Sequence, residues 1–180
     1  MRSADPLPLF AGEVALRRLA ISDLSTFQAY RHDEVLGQYQ GWSAMSDAEA
    51  LDFLSEMNTA TLLRPGLWSQ VGIAAADSLR LIGDVGLLLG ADGTRAEVGF
   101  TLARSAQGRG LATLAVREAI ALVFQLSAAR QILAATDARN IPSIRLLERV
   151  GMHRVESRAV VFRGEACLEY SYAISREHDA

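Results

Sequence analysis

One glycine-rich segment constrains the fold of this chain more than any other feature. Residues 105–113 read SAQGRGLAT, and they lie between a strand pattern at 97–103 and a long apolar helical pattern. Gly108 and Gly110 let the backbone approach a ligand and adopt conformations that are forbidden to other residues. A helix that begins near Leu111 directs its unpaired amide hydrogens and the positive end of its dipole at this loop. The segment therefore predicts a phosphate site at a strand-to-helix turn.

The patterns around this turn argue against a simple parallel sheet. Strand patterns at 68–76 and 79–89 are close enough to form a hairpin, and so are those at 155–162 and 166–174. Successive hairpins indicate antiparallel pairing, whereas a doubly wound fold alternates strands with helices. The remaining patterns predict strands at 13–19 and 131–135 and helices at 22–36, 46–59, 111–126 and 140–151. We expect an α/β (α+β) fold with a mixed, largely antiparallel sheet of six to seven strands flanked by about four helices.

The composition favours one ordinary globular domain. Half of the 180 residues are apolar and 22% are charged, which is typical of a chain that can build a core. No internal repeat or Pro/Gly/Ser-rich linker divides the sequence, so we expect residues 1–180 to form a single domain. The net charge of −3 argues against a general nucleic-acid surface.

The sequence also predicts the compartment and the absence of a metal. Cys167 is the one cysteine, which excludes an intramolecular disulfide and agrees with a reducing compartment. The first ten residues lack the apolar core of a signal peptide, and no apolar stretch is long enough to span a bilayer. We therefore expect a cytoplasmic protein without a membrane partner. The three histidines are scattered, and the sequence contains no HExxH spacing, so we predict no metal site.

Three kinds of phosphate ligand are each bound by loops with a characteristic sequence pattern. The GxxxxGK[ST] pattern of a nucleoside triphosphate site is absent. A dinucleotide fingerprint requires glycine or alanine where Thr113 stands, and it belongs to a parallel βαβ unit. The pattern that fits is Gln-x-x-Gly-x-Ala, formed by Gln107, Gly110 and Ala112.

This pattern resembles the acetyl-CoA signature of the GCN5-related N-acetyltransferases (GNAT), and the resemblance covers roughly residues 10–175. Residues 96–102, AEVGFTL, look like the fourth strand of that family. Residues 140–143, NIPS, followed by LLERVGM at 146–152, look like its NxxS helix. The segment EVLGQYQGW at 34–42 is similar to the RimJ/RimL branch, which includes ribosomal-protein N-terminal acetyltransferases.

The resemblance implies acetyl-CoA as the co-substrate, with no metal, and it assigns residues to hold it. The pantetheine arm would lie beside the fourth strand, and Asn140 resembles a residue that bonds this arm. The pyrophosphate would lie on the amides of the glycine-rich loop, with charge from Arg109 and Arg104. The implied cofactor-binding residues are Phe100, Thr101, Leu102, Gln107, Gly108, Arg109, Gly110, Leu111, Ala112, Thr113, Asn140 and Ser143.

The resemblance also implies catalytic residues, each with a plainer alternative. Glu97 is the candidate general base, or else a surface glutamate of a strand. Ser143 is the candidate acid or hydrogen-bond donor to the thiolate, or else an ordinary first-turn serine of a helix. Many GNAT enzymes place a tyrosine acid further along this helix, where Leu147 stands here. Tyr39 and Trp42 either line the acceptor cleft or pack the edge of the core.

Several functions remain open at this stage. The first is direct transfer of the acetyl group to a primary amine in a ternary complex, with a ribosomal or other protein N-terminus or a small amine as acceptor. The alternative is a non-catalytic module of the same fold that binds or senses acyl-CoA. A nucleotide-binding domain is a third interpretation. The edge of the last strands also suits a homodimer.

Overall fold

The computed structural model describes residues 5–176, and all the strands in that range join one mixed sheet. The strands are β1 (Leu9–Ala11), β2 (Val14–Arg17), β3 (Trp68–Ala75), β4 (Leu81–Leu89), β5 (Arg95–Leu102), β6 (Gln131–Asp137), β7 (His153–Phe162) and β8 (Glu165–Ser175). The helices are α1 (Leu24–Arg31), α2 (Glu34–Gly37), α3 (Asp47–Thr59), α4 (Leu111–Leu126) and α5 (Ile141–Arg149). The strand order is β1-β2-β3-β4-β5-β6-β8-β7.

Only one pair of strands in this sheet is parallel. β5 pairs with β6 in parallel, and every other neighbouring pair in the described range is antiparallel. The parallel ladder ends at Glu97 and Leu133, so residues 98–102 of β5 have no partner on β6. The two strands therefore diverge and leave an opening, which we call the β5–β6 gap.

The predicted fold class is confirmed, and the structure adds one strand to the expected count. The additional strand is β1, which pairs antiparallel with β2 at the edge of the sheet. Its three residues follow Pro6 and Pro8 and are too few to show a clear alternation of polar and apolar side chains. Such a short edge strand is defined by its partner rather than by its own sequence.

The single helix predicted over 22–36 is wrong, because the chain breaks it at Asp33. This residue adopts an extended conformation, with φ −79° and ψ 104°. Its carboxylate accepts hydrogen bonds from the amides of Val35 and Leu36, at 3.1 and 3.3 Å. An aspartate that caps the following turn competes with continuation of the preceding helix. The result is two helices, α1 and α2.

The two faces of the sheet carry different helices. α4 and α5 pack with the large core on one face, which includes Val85, Ala96 and Val98. α1 and α3 supply most of a second core that includes Phe27 and Leu54. Successive residues of a strand point to opposite faces. On β5, Glu97, Gly99 and Thr101 therefore point to the side of α1, which we call the α1 face.

Candidate active site

A cleft of about 750 Å³ opens beside the β5–β6 gap. Its walls come from the end of β5, the glycine-rich loop, the first turns of α4 and α5, and residues 35–40. The predicted cofactor-binding residues come together here with the exception of Arg109, whose side chain lies 3.5 Å from Glu13 instead. Residues separated by about 40 positions in the sequence therefore form one cleft.

The edge of β5 offers backbone groups to this cleft. The backbone carbonyl of Phe100 accepts a hydrogen bond from the side-chain Nε2 of Gln40 at 3.3 Å. The backbone carbonyl of Leu102 accepts one from the side-chain Nε2 of Gln107 at 2.9 Å. Both donors approach from the side of the gap, so these carbonyls point away from β4. In an antiparallel strand the direction of the peptide groups alternates, and those of Thr101 therefore face β4. The edge available to an added strand is formed by Phe100 and Leu102.

The glycine-rich loop leaves the first amides of α4 accessible. Gly108 and Gly110 have φ angles of 77° and 75°, in the left-handed region that favours glycine. Gly110 is the N-cap of α4, and no side chain caps this helix. A Cβ atom at either glycine would meet no heavy atom within 4 Å. The loop therefore combines uncapped amides with free space, as an anion site at a helix N-terminus requires.

Four arginine side chains give the cleft a positive character: Arg104, Arg139, Arg145 and Arg149. Arg104 bonds Asp33 at 2.6 Å, and Arg139 bonds Asp137 at 2.8 Å. Arg145 and Arg149 are four residues apart on α5, so they share one face of the helix. The sequence pattern predicted a role for Arg104 and for none of the other three. The i, i+4 spacing of Arg145 and Arg149 after the NxxS motif was the available signal.

Ser143 and Glu97 approach the gap from different elements. Ser143 lies in the first turn of α5, where its amide donates to the Asn140 carboxamide oxygen at 3.4 Å. This bond makes Asn140 the N-cap of α5, as the sequence predicts. Glu97 is half-buried on the α1 face of β5, outside the residues that line the cleft. Burial raises the pKa of Glu97, and the nearby negative charge of Glu169 raises it further.

The two predicted acceptor residues, Tyr39 and Trp42, lie on different sides of the same loop. Tyr39 lines the cleft, with its ring centroid 5.7 Å from the guanidinium carbon of Arg139. Trp42 donates from its indole nitrogen to the Thr101 hydroxyl at 3.1 Å, on the α1 face. Its ring centroid is 4.5 Å from the guanidinium carbon of Arg31. Trp42 therefore packs against β5, and Tyr39 faces the cleft.

Residues 5–176 contain no group of three or more His, Cys, Asp and Glu side chains that is placed to hold a metal ion. None of the helices within that range is both long and apolar enough to cross a bilayer.

Comparison with known proteins identifies the family to which the chain belongs. Residues 13–153 match the family model described as the acetyltransferase (GNAT) domain. The chain belongs to the GNAT acetyltransferase family. It is therefore an acetyl-CoA-dependent acyltransferase. A curated relative of this GNAT protein, the uncharacterized N-acetyltransferase p20 of Bacillus licheniformis, is 26% identical over 148 residues, which cover 81% of this chain and 82% of the relative.

Solved GNAT structures share the fold at low sequence identity. A GNAT acetyltransferase from Bacillus anthracis superposes with a TM-score of 0.82 at 19% identity, over 94% of this chain and 98% of that one. The microcin C7 self-immunity acetyltransferase MccE, in complex with acetyl-CoA and AMP, gives 0.76 at 14% identity, over 91% and 93%. A spermidine N-acetyltransferase from Vibrio cholerae, in complex with CoA and spermine, gives 0.76 at 18% identity, over 91% and 96%.

Proposed function

We propose that this acetyltransferase transfers the acetyl group directly to a primary amine in a ternary complex. The observation that carries the proposal is the open β5 edge. Its Phe100 and Leu102 carbonyls stand beside the uncapped N-terminus of α4, and the half-buried Glu97 lies on the same strand. Acetyl-CoA supplies a thioester. The amine nitrogen bonds to its carbonyl carbon, the C–S bond breaks, and the thiol leaves as an amide forms.

The cleft suits the three chemical parts of acetyl-CoA. The β5 edge can pair with the amide-containing pantetheine arm in the manner of an added strand. The arm would then displace the side chains of Gln40 and Gln107 from the backbone carbonyls of Phe100 and Leu102. The loop at Gly108–Gly110 offers amides to the pyrophosphate. Arg145 and Arg149 add positive charge on the wall formed by α5.

Glu97 is proposed as the group that takes the proton from the amine. An ammonium group has no lone pair, so the acceptor must lose a proton before or during attack. A carboxylate with a raised pKa is a stronger base than an ordinary glutamate, and burial beside Glu169 raises the pKa of Glu97. The negative charge that develops on the thioester oxygen needs an amide donor, for which the peptide groups of β5 that face the gap are placed.

Ser143 is proposed to donate a hydrogen bond to the leaving sulfur. Its backbone amide is occupied by Asn140, whereas its hydroxyl has no hydrogen-bond partner within residues 5–176. The alternative acid, a tyrosine further along α5, is excluded at Leu147 because that side chain is apolar and buried. Ser143 lines the cleft from the first turn of the helix.

The acceptor is proposed to approach from the α1 face, opposite the cofactor cleft. Trp42 and Glu97 lie on that face, where Glu97 is half-buried rather than fully covered. The spermine in the Vibrio cholerae neighbour is an amine of the small-molecule class. The RimJ/RimL resemblance favours a protein N-terminus. We propose a primary amine of either class, a cytoplasmic location, and a homodimer through the exposed β7 edge.

The first experiment is a thermal shift with acetyl-CoA, with ATP and NAD as controls. A ligand at ~100 times its Kd stabilises the folded state by about 2.7 kcal/mol. For a domain of this size, that corresponds to roughly 5–10 °C. A shift with acetyl-CoA alone is expected, followed by thiol release with spermine or a peptide bearing a free N-terminal serine. Binding without thiol release from any amine would instead support a non-catalytic acyl-CoA-binding module.

A further inference from the structure

Gly99 leaves a bare hollow on the α1 face of β5. A Cβ atom at this position would meet no heavy atom of the described residues within 4 Å. Gly99 is not among the glycines with positive φ, so its backbone conformation is one that other residues adopt. A glycine inside a strand weakens the strand, and it often marks the close approach of a ligand. Neither backbone conformation nor crowding therefore requires glycine here.

The hollow has walls on the strands around it. Along β5, Glu97 and Thr101 lie two residues before and after Gly99, and their side chains point to the same face. The Thr101 hydroxyl accepts the hydrogen bond from the Trp42 indole. Gly99 pairs across β4 with Gly86, whose Cβ position is only 3.1 Å from ring atoms of Trp68. The side-chain oxygen of Gln70, at 3.0 Å, and the Trp68 indole therefore cover Gly86, the neighbour of Gly99 on β4.

The remaining side of the hollow is the β5–β6 gap. The parallel ladder has ended two residues earlier, at Glu97, so no strand covers Gly99 there. Phe100, the next residue, presents its carbonyl to the cofactor cleft through the same gap. The hollow on the α1 face and the cleft on the opposite face thus meet at one point of β5.

The charges near the hollow favour a cation. Glu97 is half-buried at one end of the hollow. Glu169 on β8 is close enough that its negative charge raises the pKa of Glu97. Two nearby guanidinium groups are already engaged: Arg158 bonds Glu169 at 2.8 Å, and Arg163 donates to the backbone carbonyls of Gln40 and Trp42 at 2.9 and 2.6 Å. Arg31 is buried behind Trp42, paired with Asp84. An ammonium group over Gly99 gains the carboxylate of Glu97 as a neighbour on the same face of β5.

We infer that Gly99 forms the floor of the acceptor site and selects for an unhindered cationic primary amine, which lies between Glu97 and the Trp42–Thr101 pair. This inference rests on the proposed transfer to an amine. Gly99 is a specificity-determining position, because any side chain there occupies the volume that the acceptor needs. The fold itself has room for a side chain at this position.

The test compares the wild-type protein with Gly99→Ala and Gly99→Val. Each variant is assayed for thermal stability, for the shift with acetyl-CoA, and for thiol release with spermine and with a hexapeptide bearing a free N-terminal serine. Both variants are expected to keep the wild-type melting temperature and acetyl-CoA shift. The KM for the better amine is expected to rise roughly tenfold in Gly99→Ala and further in Gly99→Val, because the one or three added carbon atoms overpack the space that the amine needs. Ala159→Val, on the exposed β7, is the control of similar added volume.

The outcomes separate this inference from the proposed function. If wild-type protein acetylates an amine and Gly99→Val does so with unchanged KM and kcat, the acceptor does not lie over Gly99 and the inference is overturned. If Gly99→Val loses the acetyl-CoA shift to the same extent as amine turnover, the position serves the cofactor and the inference is again overturned. If wild-type protein releases no thiol with either amine beyond hydrolysis, the proposed function and the inference both fail.

Discussion

Arg31 and Asp84 form an ion pair in the interior, with 2.8 Å between Nη2 and Oδ2 and side-chain exposures of 3% and 1%. Tyr30 and Gln70 also donate hydrogen bonds to the same carboxylate. The guanidinium of Arg31 lies against the Trp42 ring, so the pair connects β4 with the wall of the proposed acceptor site. Nε of Arg31 has no hydrogen-bond partner among residues 5–176, which makes Asp84 the main compensation for its buried charge.

Removing the carboxylate of Asp84 is expected to destabilise the fold strongly. Asp84→Ala leaves the Arg31 charge buried without its counter-ion, which typically costs about 3–5 kcal/mol. Urea unfolding measures the change in the free energy of unfolding. Glu13→Ala is the matched control, because the Glu13–Arg109 pair is 3.5 Å apart and more than half exposed. The control is expected to change stability by less than about 1 kcal/mol, and equal losses in the two variants would contradict the role of burial.

Loss of the proposed base should reduce turnover and change its pH dependence. Glu97→Gln is expected to lower kcat by about 100-fold or more. In the wild type, kcat/KM should rise with pH through the raised pKa of Glu97, because the deprotonated carboxylate accepts the proton. Glu169→Gln removes a negative charge that raises this pKa, so the same limb should move to lower pH. A Glu97→Gln profile with the wild-type limb would assign that limb to another group.

The Asp137–Arg139 pair should contribute stability that is lost in acid. The hydrogen bond from Arg139 lowers the pKa of Asp137 to about 2. Because an unfolded aspartate titrates near ~3.9, the folded state favours the ionised carboxylate. This contribution is fully present above the unfolded pKa and disappears as the pH falls through about 2. As the pH falls between those two pKa values, the difference in the free energy of unfolding between wild type and Arg139→Gln, measured with urea, is expected to shrink. A difference that does not change with pH would contradict the pairing.

The arginines of α5 should act on the phosphates of acetyl-CoA rather than on its acyl arm. Arg145→Ala and Arg149→Ala are each expected to raise the Kd for acetyl-CoA roughly tenfold, since hydrogen bonds to charged groups contribute about 1.5–3 kcal/mol. Isothermal titration with acetyl-pantetheine, which lacks the phosphates, should show little change. Arg80→Ala, on the exposed turn before β4, serves as the control. Equal losses for both ligands would place these arginines at the acyl arm.

Much of the cofactor side followed from the sequence, because its features are local. The two glycines of the loop, the apolar period of α4, and the Asn140 cap are each encoded within a few residues, and short-range geometry determines how they fold. The order of strands and helices was sufficient for the fold class. The break at Asp33 and the strand β1 were missed, since a capping aspartate and a three-residue edge strand leave little periodic signal.

The features of the proposed acceptor site depend on the tertiary structure. The sequence alone placed Glu97 on a strand, but the point where β5 leaves β6 determines that this glutamate stands at the mouth of the gap. The hollow at Gly99 exists because its partner on β4 is another glycine, Gly86, and because the pairing of β5 with β6 has already ended at Glu97. Likewise, the buried Arg31–Asp84 pair joins residues that are 53 positions apart. Local propensity fixes where elements begin and end, whereas burial, facing side chains and charge pairs arise only when distant elements pack together.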